Sequence, residues 1–555
     1  MRVGNVKRKK TLGSVMVLFC ALVVGACGGG DGGGGGSDDG ASPASGGGGS
    51  RDTLTMAVQE IPTSLDLAVY QASAVTTQIA TGASYLYLAP RSVEGTPVES
   101  FDPGKFVPGV AESWKRDGNG KGLTVTLRKG VKSPYGNELT TADIKWTVDR
   151  NSAIEGAIGG PFFYGVAGID PEKPITVLDD YRFRFNLERT SPNLLRALNL
   201  PMVMPIDSTE AEKHATKGDP WAKKWLTANT AFFGPYNVSK FTPGQSLTLE
   251  ANPNFYGEKP AISTIVIRAI PDPSTRQQLV QSGSVQFAPD IPRVQLERLQ
   301  DDESVKVEYG RSSRILYVLM NTKVKPWDDA RVRQAVAAVL PPEQMNEDAY
   351  RGTATVSSGP VSPLFGDHYP ETWTHKTVDV EKGKKLMAEA GHSDGFSATL
   401  KYSLSNPGPE NAQIAVVVQN ALRQIGIDVK LEQVASDAAY FADLIEKKVA
   451  FGLGGTAAFI PDAGYALTNT SEGPSGFSDY TDPEFLKVVA EANSMEDGPE
   501  RSALLKEAQA IWNRDVAMYP ALEPNVGAAM APDLNGFNIQ STGFPLLQRF
   551  LFGES

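Results

Sequence analysis

The chain holds 555 residues, 41% hydrophobic and 21% charged, with a formal net charge of −11. That length and apolar share suffice for more than one buried core, which excludes a mini-protein and a wholly disordered chain. The acidic balance also argues against a nucleic-acid binder, because no broad face would neutralise phosphates.

The chain opens on Arg2, Lys7, Arg8, Lys9 and Lys10, followed by an apolar run from Leu12 to Val24. Such a run is long enough for the core of an export signal and too short for a stable membrane span. It ends Val24-Gly25-Ala26-Cys27, which resembles a bacterial lipobox, where the leader is removed and the cysteine carries diacylglycerol. No twin arginine precedes it, so the general secretory route is expected. Residues 1–26 therefore read as a lipoprotein signal peptide and Cys27 as the lipidation site, which anchors the protein to the outer face of the cell membrane. Loss of the leader removes five basic side chains and takes the formal charge to −16. Cys20 leaves with it, so the folded part is expected to hold no disulfide, thiolate metal site or cysteine nucleophile. Residues 28–50 carry 13 glycines in 23 positions. That composition builds no core, and residues 27–51 read as a lipidated, flexible tether spanning about 25–30 Å.

From Thr53 the pattern changes to short strands mixed with amphipathic helices. Thr53–Val58 alternates as a strand and runs into the turn-rich Ile61-Pro62-Thr63-Ser64-Leu65-Asp66. Asp117-Gly118-Asn119-Gly120 reads as a hairpin turn leading into a strand over Leu123–Val131. Tyr181–Glu188 places Tyr181, Phe183, Phe185 and Leu187 on one face and Arg182, Arg184, Asn186 and Glu188 on the other. The second half is more helical. Asp329–Leu340 sets Val332, Val336 and Val339 on one stripe, and Pro341-Pro342 is expected to stop it. Helices over Val380–Ala390 and Glu410–Ile425 end at Gly391 and Gly426, and Ile427–Val434 then alternates as a strand, the joint of an α/β unit. Pro499–Arg514 reads as a further helix with Leu504, Leu505, Ala508 and Ile511 inward. The roughly 500 residues beyond the tether exceed one core, so two or three domains are expected.

Two of the usual catalytic signatures are missing: HExxH and GxxxxGK[ST] do not occur. Asp117-Gly118-Asn119-Gly120-Lys121-Gly122 fails as a calcium loop, since Lys121 stands where an oxygen ligand is needed and Arg128 where the closing glutamate belongs. The four histidines, His214, His368, His375 and His392, have neither the spacing nor the neighbours of a metal site. No catalytic residue, metal or cofactor is expected. A secreted hydrolase using scattered carboxylates is the reading from another class, and no motif supports it.

Several segments, taken in order, point to one family. They are Pro62-Thr63-Ser64-Leu65-Asp66, Pro108-Gly109-Val110-Ala111-Glu112-Ser113-Trp114, Leu139-Thr140-Thr141-Ala142-Asp143-Ile144, Gly234-Pro235-Tyr236 with Asn252-Pro253-Asn254-Phe255-Tyr256, and Asn321-Thr322 with Asp329-Ala330-Arg331-Val332-Arg333-Gln334-Ala335. Through these blocks the body resembles the extracellular solute-binding proteins of ABC importers of the oligopeptide, dipeptide and nickel type. The resemblance implies an α/β fold with a two-lobed, periplasmic-binding-protein-like (type II, three-domain) architecture. Domain I would comprise 52–83, 229–320 and 521–555, domain II the insert 84–228, and domain III 321–520. Hinge strands would run over Ile315–Asn321 and Pro520–Val526. It implies a monomeric receptor that takes an oligopeptide or peptide-like solute and hands it to ABC permease subunits, with an oligosaccharide or metal chelate as the alternative ligand.

The residues that would name the ligand depart from the pattern. Peptide binders of this family hold the free amino terminus with an aspartate shortly after a Gly-Trp pair. Here the matching stretch reads Gly454-Gly455-Thr456-Ala457-Ala458-Phe459-Ile460-Pro461-Asp462, so Ala458 or Phe459 occupies the anchor position. Asp462 is either a displaced anchor or part of the turn after Pro461. Further candidates are Glu60 and Ile61 in the first loop, Tyr85 and Tyr87 for stacking, Glu523 and Asn525 after the second hinge strand, and Trp373 as a cap near His368 and His375.

Overall fold

The computed structural model describes residues 52–69, 86–91, 100–118, 120–154, 157, 159–365, 377–404, 408–434, 437–473, 475–539 and 545–553. The chain divides into Met1–Gly49 and Ser50–Ser555, and every described residue belongs to the second unit. Among the described residues no helix is long and apolar enough to cross a membrane.

Two large sheets organise this unit. The first has seven strands in the order Lys306–Gly310, Val526–Met530, Phe287–Pro289, Thr53–Val58, Thr264–Ala269, Ser246–Ala251 and Tyr236–Thr242. Thr53–Val58 runs parallel to Thr264–Ala269, with Thr53 opposite Thr264 and Val58 opposite Ala269. Period-two alternation gives the strand two working faces. Leu54 and Met56 enter one core with Leu247, Leu249, Ile265 and Ile267, while Ala57 enters another with Val280, Ala288 and Leu296.

The second sheet has six strands in the order Thr355–Val356, Tyr519–Glu523, Arg314–Met320, Phe451–Ala457, Phe396–Tyr402 and Ile427–Gln433. Its central strand Arg314–Met320 is almost wholly apolar and buried, as a strand covered on both faces must be. The chain leaves the first sheet after Gly310, enters the second at Arg314, and returns between Glu523 and Val526. The Ser312 hydroxyl donates to the Pro524 carbonyl at 3.3 Å and ties the two crossings together. The segments Ile315–Asn321 and Pro520–Val526 thus begin on the second sheet, and only 524–526 of the latter reach the first.

A four-stranded sheet, in the order Ala111–Arg116, Gly122–Leu127, Arg182–Asn186 and Ile175–Asp179, forms within the insert. Phe183 and Phe185 face inward as the alternation requires, their rings edge to face at 5.0 Å. The Asp117–Gly122 turn closes with a hydrogen bond from the Asp117 amide to the Gly122 carbonyl at 3.0 Å. The Asp117 carboxylate accepts from Arg184 Nε at 2.8 Å, so a neighbouring strand holds the oxygen that a cation would otherwise need.

The helices follow local signals. Ala330–Val339 is capped by the Asp329 side chain and buries Val332, Val336 and Val339. Pro341-Pro342 does more than stop it, because Pro342 takes the first position of the next helix, Pro342–Tyr350, where a missing N–H leaves nothing unsatisfied. Asn411–Arg423 ends near Gly426, whose φ is 82°. A Cβ on the facing Gly395 would lie 1.9 Å from the Gly426 carbonyl oxygen, so the turn into Ile427–Gln433 accepts only a bare backbone there.

Candidate functional site

The site is built where three strands of the second sheet share a register. Ile315 lies opposite Thr456. Leu316 lies opposite Leu522. One step further along the antiparallel pair places Glu523 beside Ile315, and Glu523 pairs on its other side with Thr355. Neighbouring residues in one cross-strand row share a face. Thr355, Glu523, Ile315 and Thr456 therefore form a row across the end of the sheet that meets the crossings.

A cavity of about 10 Å³ opens beside this row, walled by Ser313, Ile315, Ser362, Thr456, Ala458 and Asn469 among others. That volume takes one water-sized group. Its wall mixes hydroxyls and an amide with apolar carbon, the composition that orients a small polar head. A larger groove of about 450 Å³ lies on the insert, lined by Tyr164, Gly168, Glu188 and Arg189, and none of the sequence candidates reaches it.

Glu523 is 2% exposed. Its Oε2 accepts from the Ser362 hydroxyl at 3.0 Å, and Oε1 has no hydrogen-bond partner. Burial pushes its pKa up to about 7, against the opposing pull of the Ser362 hydrogen bond and the Arg311 charge. No ion pair joins it to Arg311 among the described residues.

Asp462 is 3% exposed, and one of its oxygens gathers three donors. Its Oδ1 accepts from Arg501 Nη2 at 2.8 Å, from the Tyr465 amide at 2.8 Å and from Asn193 Nδ2 at 3.2 Å. It caps the helix Ala463–Asn469. Arg501 also binds Asp497, and Asp497 binds Arg196 of the insert. Burial works to raise the Asp462 pKa, but the Arg501 and Arg196 charges with the donated hydrogen bonds outweigh it and hold the carboxyl below its usual range.

The other candidates scatter. Ala458 is buried in the cavity wall. Phe459 is half-buried against the core of the second sheet. Ile61 belongs to the core of the first sheet and Glu60 beside it is exposed. Asn525 donates its amide to the Thr353 carbonyl and clips the returning crossing to the second half. Tyr87 lies in the strand Leu86–Arg91, opposite Val107. Tyr85, Trp373, His368, His375 and Cys27 lie outside the described residues. Among the described residues no three His, Cys, Asp or Glu side chains group to hold a metal. The glycine run is accounted for by packing: a Cβ at Gly452 would sit 2.6 Å from the Tyr440 hydroxyl, and one at Gly454 2.9 Å from Leu319 Cδ1.

Sequence reasoning missed Ser313, Ser362 and Asn469. Ser362 lies in a loop without motif or period, and it matters only because Glu523, 161 residues away, meets it.

Residues 105–477 match the family described as bacterial extracellular solute-binding proteins, family 5 Middle. Heme-binding protein A of Haemophilus influenzae is 25% identical over 451 residues, covering 78% of this chain and 81% of that protein. A glutathione-binding protein of Salmonella paratyphi A is 26% identical over 450 residues, covering 78% and 84%. Among solved structures, an ABC transporter-associated periplasmic binding protein of Helicobacter pylori in complex with the peptide STSA superposes with a TM-score of 0.77. It is 22% identical and covers 91% of this chain and 98% of that one, a likeness of fold. These relatives are named as binding proteins.

Proposed function

The chain belongs to the bacterial extracellular solute-binding proteins, family 5, and on that premise we propose that it captures a peptide or peptide-like solute outside the cytoplasm and delivers it to an ABC permease. The observation that carries this reading is the polar-walled cavity at the end of the central strands of the second sheet, beside the two tied crossings that connect it with the first. A solute held there touches the segments about which the two halves would close, and its binding energy would bias the open arrangement toward the closed one. The cavity admits only a small head group, so the rest of the solute is taken up between the halves as they meet. Cys27 fits as the lipid-bearing residue, with 28–50 as the tether of a monomeric receptor on the outer face of the membrane.

The relative that binds heme supports a second reading, a non-peptide ligand such as a metal chelate, on the same scaffold. Thermal shift of the protein against Ser-Thr-Ser-Ala, glutathione, oligosaccharides and heme separates these readings. A ligand at 100 times its dissociation constant adds about 2.7 kcal/mol of stability, well within reach of the method. Stabilisation by either peptide is the expected result. Stabilisation by heme or sugars alone moves the receptor to the second reading, and turnover of a bound oligomer would overturn both.

A further inference from the structure

Glu523 presents a combination that packing alone does not call for. Polar atoms in protein interiors are nearly always paired, and a buried carboxylate oxygen without a donor is costly. Oε1 of Glu523 is such an atom. Its carboxyl group is joined through Oε2 to Ser362, and Ser362 lines the cavity of about 10 Å³. The cross-strand row places Glu523 next to Ile315, with Thr456 on the strand beyond, two further residues of the same wall. The elements packed around it offer little charge: Thr355 on one neighbouring strand, Ile315 on the other, Ser362 above, and Arg311 from the first crossing as the one described charge that acts on it.

We infer that Glu523 is the cation anchor of this site, its carboxylate receiving the primary ammonium head of the bound solute, with the cavity beside Ser362 and Thr456 as the seat of that head. This deepens the solute-binding reading and rests on it. The two residues at the anchor position, Ala458 and Phe459, follow the strand Phe451–Ala457 and offer a methyl group and a ring, neither of them a charge. Size supports an ammonium: the cavity takes one water-sized group, whereas a guanidinium is several times larger. Chemistry supports it too, because an ammonium has three donors and no acceptor, and a carboxylate with hydroxyls around it satisfies them by charge-assisted hydrogen bonds. Burial keeps the Glu523 carboxyl titrating near neutrality, so a cationic head displaces its proton on binding.

The test is thermal shift and titration calorimetry at pH 5.5, 7 and 8 on the protein and on its Glu523→Gln and Ser362→Ala variants. Probes are Ser-Thr-Ser-Ala and glutathione with free or acetylated amines, and methylammonium alone at 0.1 M as a mimic of the head group. The expected result is methylammonium stabilisation at pH 8 that Glu523→Gln abolishes and Ser362→Ala only weakens. Free-amine peptide affinity is expected to rise with pH, by up to about tenfold per unit below 7, with proton release. It should fall tenfold or more on acetylation or in Glu523→Gln. Peptides that bind equally well acetylated, or to Glu523→Gln, would overturn the anchor and leave the solute-binding reading intact. Methylammonium binding without either peptide would support the anchor and refute the peptide class. Affinity that falls with rising pH would overturn the anchor, since a protonated Glu523 would then be a donor. No response to any probe would do the same, provided the melting curve of Glu523→Gln reports a folded protein.

Discussion

Asp462 and Glu523 are carboxyl groups of nearly equal burial in the same half of the molecule, and their surroundings push them in opposite directions. Asp462 faces a guanidinium, an amide N–H and a side-chain amide, and remains ionised below the usual carboxylate range. Glu523 faces one hydroxyl and is raised to about 7. The first joins the helix Ala463–Asn469, the helix Pro499–Asp515 and the insert through three donors, one of them charged; the second has one neutral donor and a fully buried oxygen without any. Burial by itself therefore says little about a role. What separates a structural carboxylate from one available to a ligand is how many of its lone pairs the protein already occupies.

The largest effect expected from this contrast is at Arg501. Arg501→Met leaves the Asp462 charge buried without its main partner, and about 3–5 kcal/mol of stability is expected to go, read by urea unfolding at pH 7. A loss below about 1 kcal/mol would erase the distinction between the two sites. The pH dependence carries a definite sign: because the Asp462 pKa is depressed, its stabilisation is present above the unfolded carboxyl value and disappears as pH falls through the folded one.

Glu523 has the opposite sign. With its pKa raised from 4.5 to about 7, the folded state holds a proton that the unfolded chain has already lost. Stability is then greatest below the unfolded value and declines as pH rises toward 7. Glu523→Gln is expected to stabilise the ligand-free protein by about 3 kcal/mol at pH 8 and to change little at pH 4.5. Equal melting temperatures for variant and parent across that range would mean that the carboxyl titrates normally.

Ser362→Ala sharpens the comparison further. It removes the one donor to Glu523 among the described residues, costs about 1 kcal/mol, and moves the pH transition of stability upward. A transition that stays in place would show that the hydroxyl does not act on the carboxyl. The smallest effect belongs to the surface: Lys145 and Asp149 form an exposed pair one helical turn apart, and Lys145→Ala is expected to change stability by less than about 0.5 kcal/mol at pH 7. A larger loss there would imply that exposed charges in this protein are not ordinarily screened.

Much of the fold was legible because its signals are local. The Val332, Val336 and Val339 stripe, the strand at Thr53–Val58 and the Phe183–Phe185 alternation each state their own secondary structure and buried face. Asp462 was legible as a turn residue beside Pro461, and its carboxylate caps the helix that starts there; its pairing with Arg501 was not, since nothing in either segment names the other. The cavity was the least legible part. It depends on the register of three strands and on a serine in an unpatterned loop, and no local sequence rule encodes an oxygen that lacks a partner.

The order of strands bears on how the chain comes to be folded at all. Tyr519–Glu523 is inserted between Thr355–Val356 and Arg314–Met320, and Val526–Met530 between Lys306–Gly310 and Phe287–Pro289. A single short stretch late in the chain thus fills a gap in both sheets. A nascent chain that has not yet presented residues 519–530 has two interrupted sheets and open strand edges in each, and contacts this distant in sequence form slowly. Both halves are then completed by one late event, so that synthesis, refolding and resistance to proteolysis should report one shared step for the two sheets.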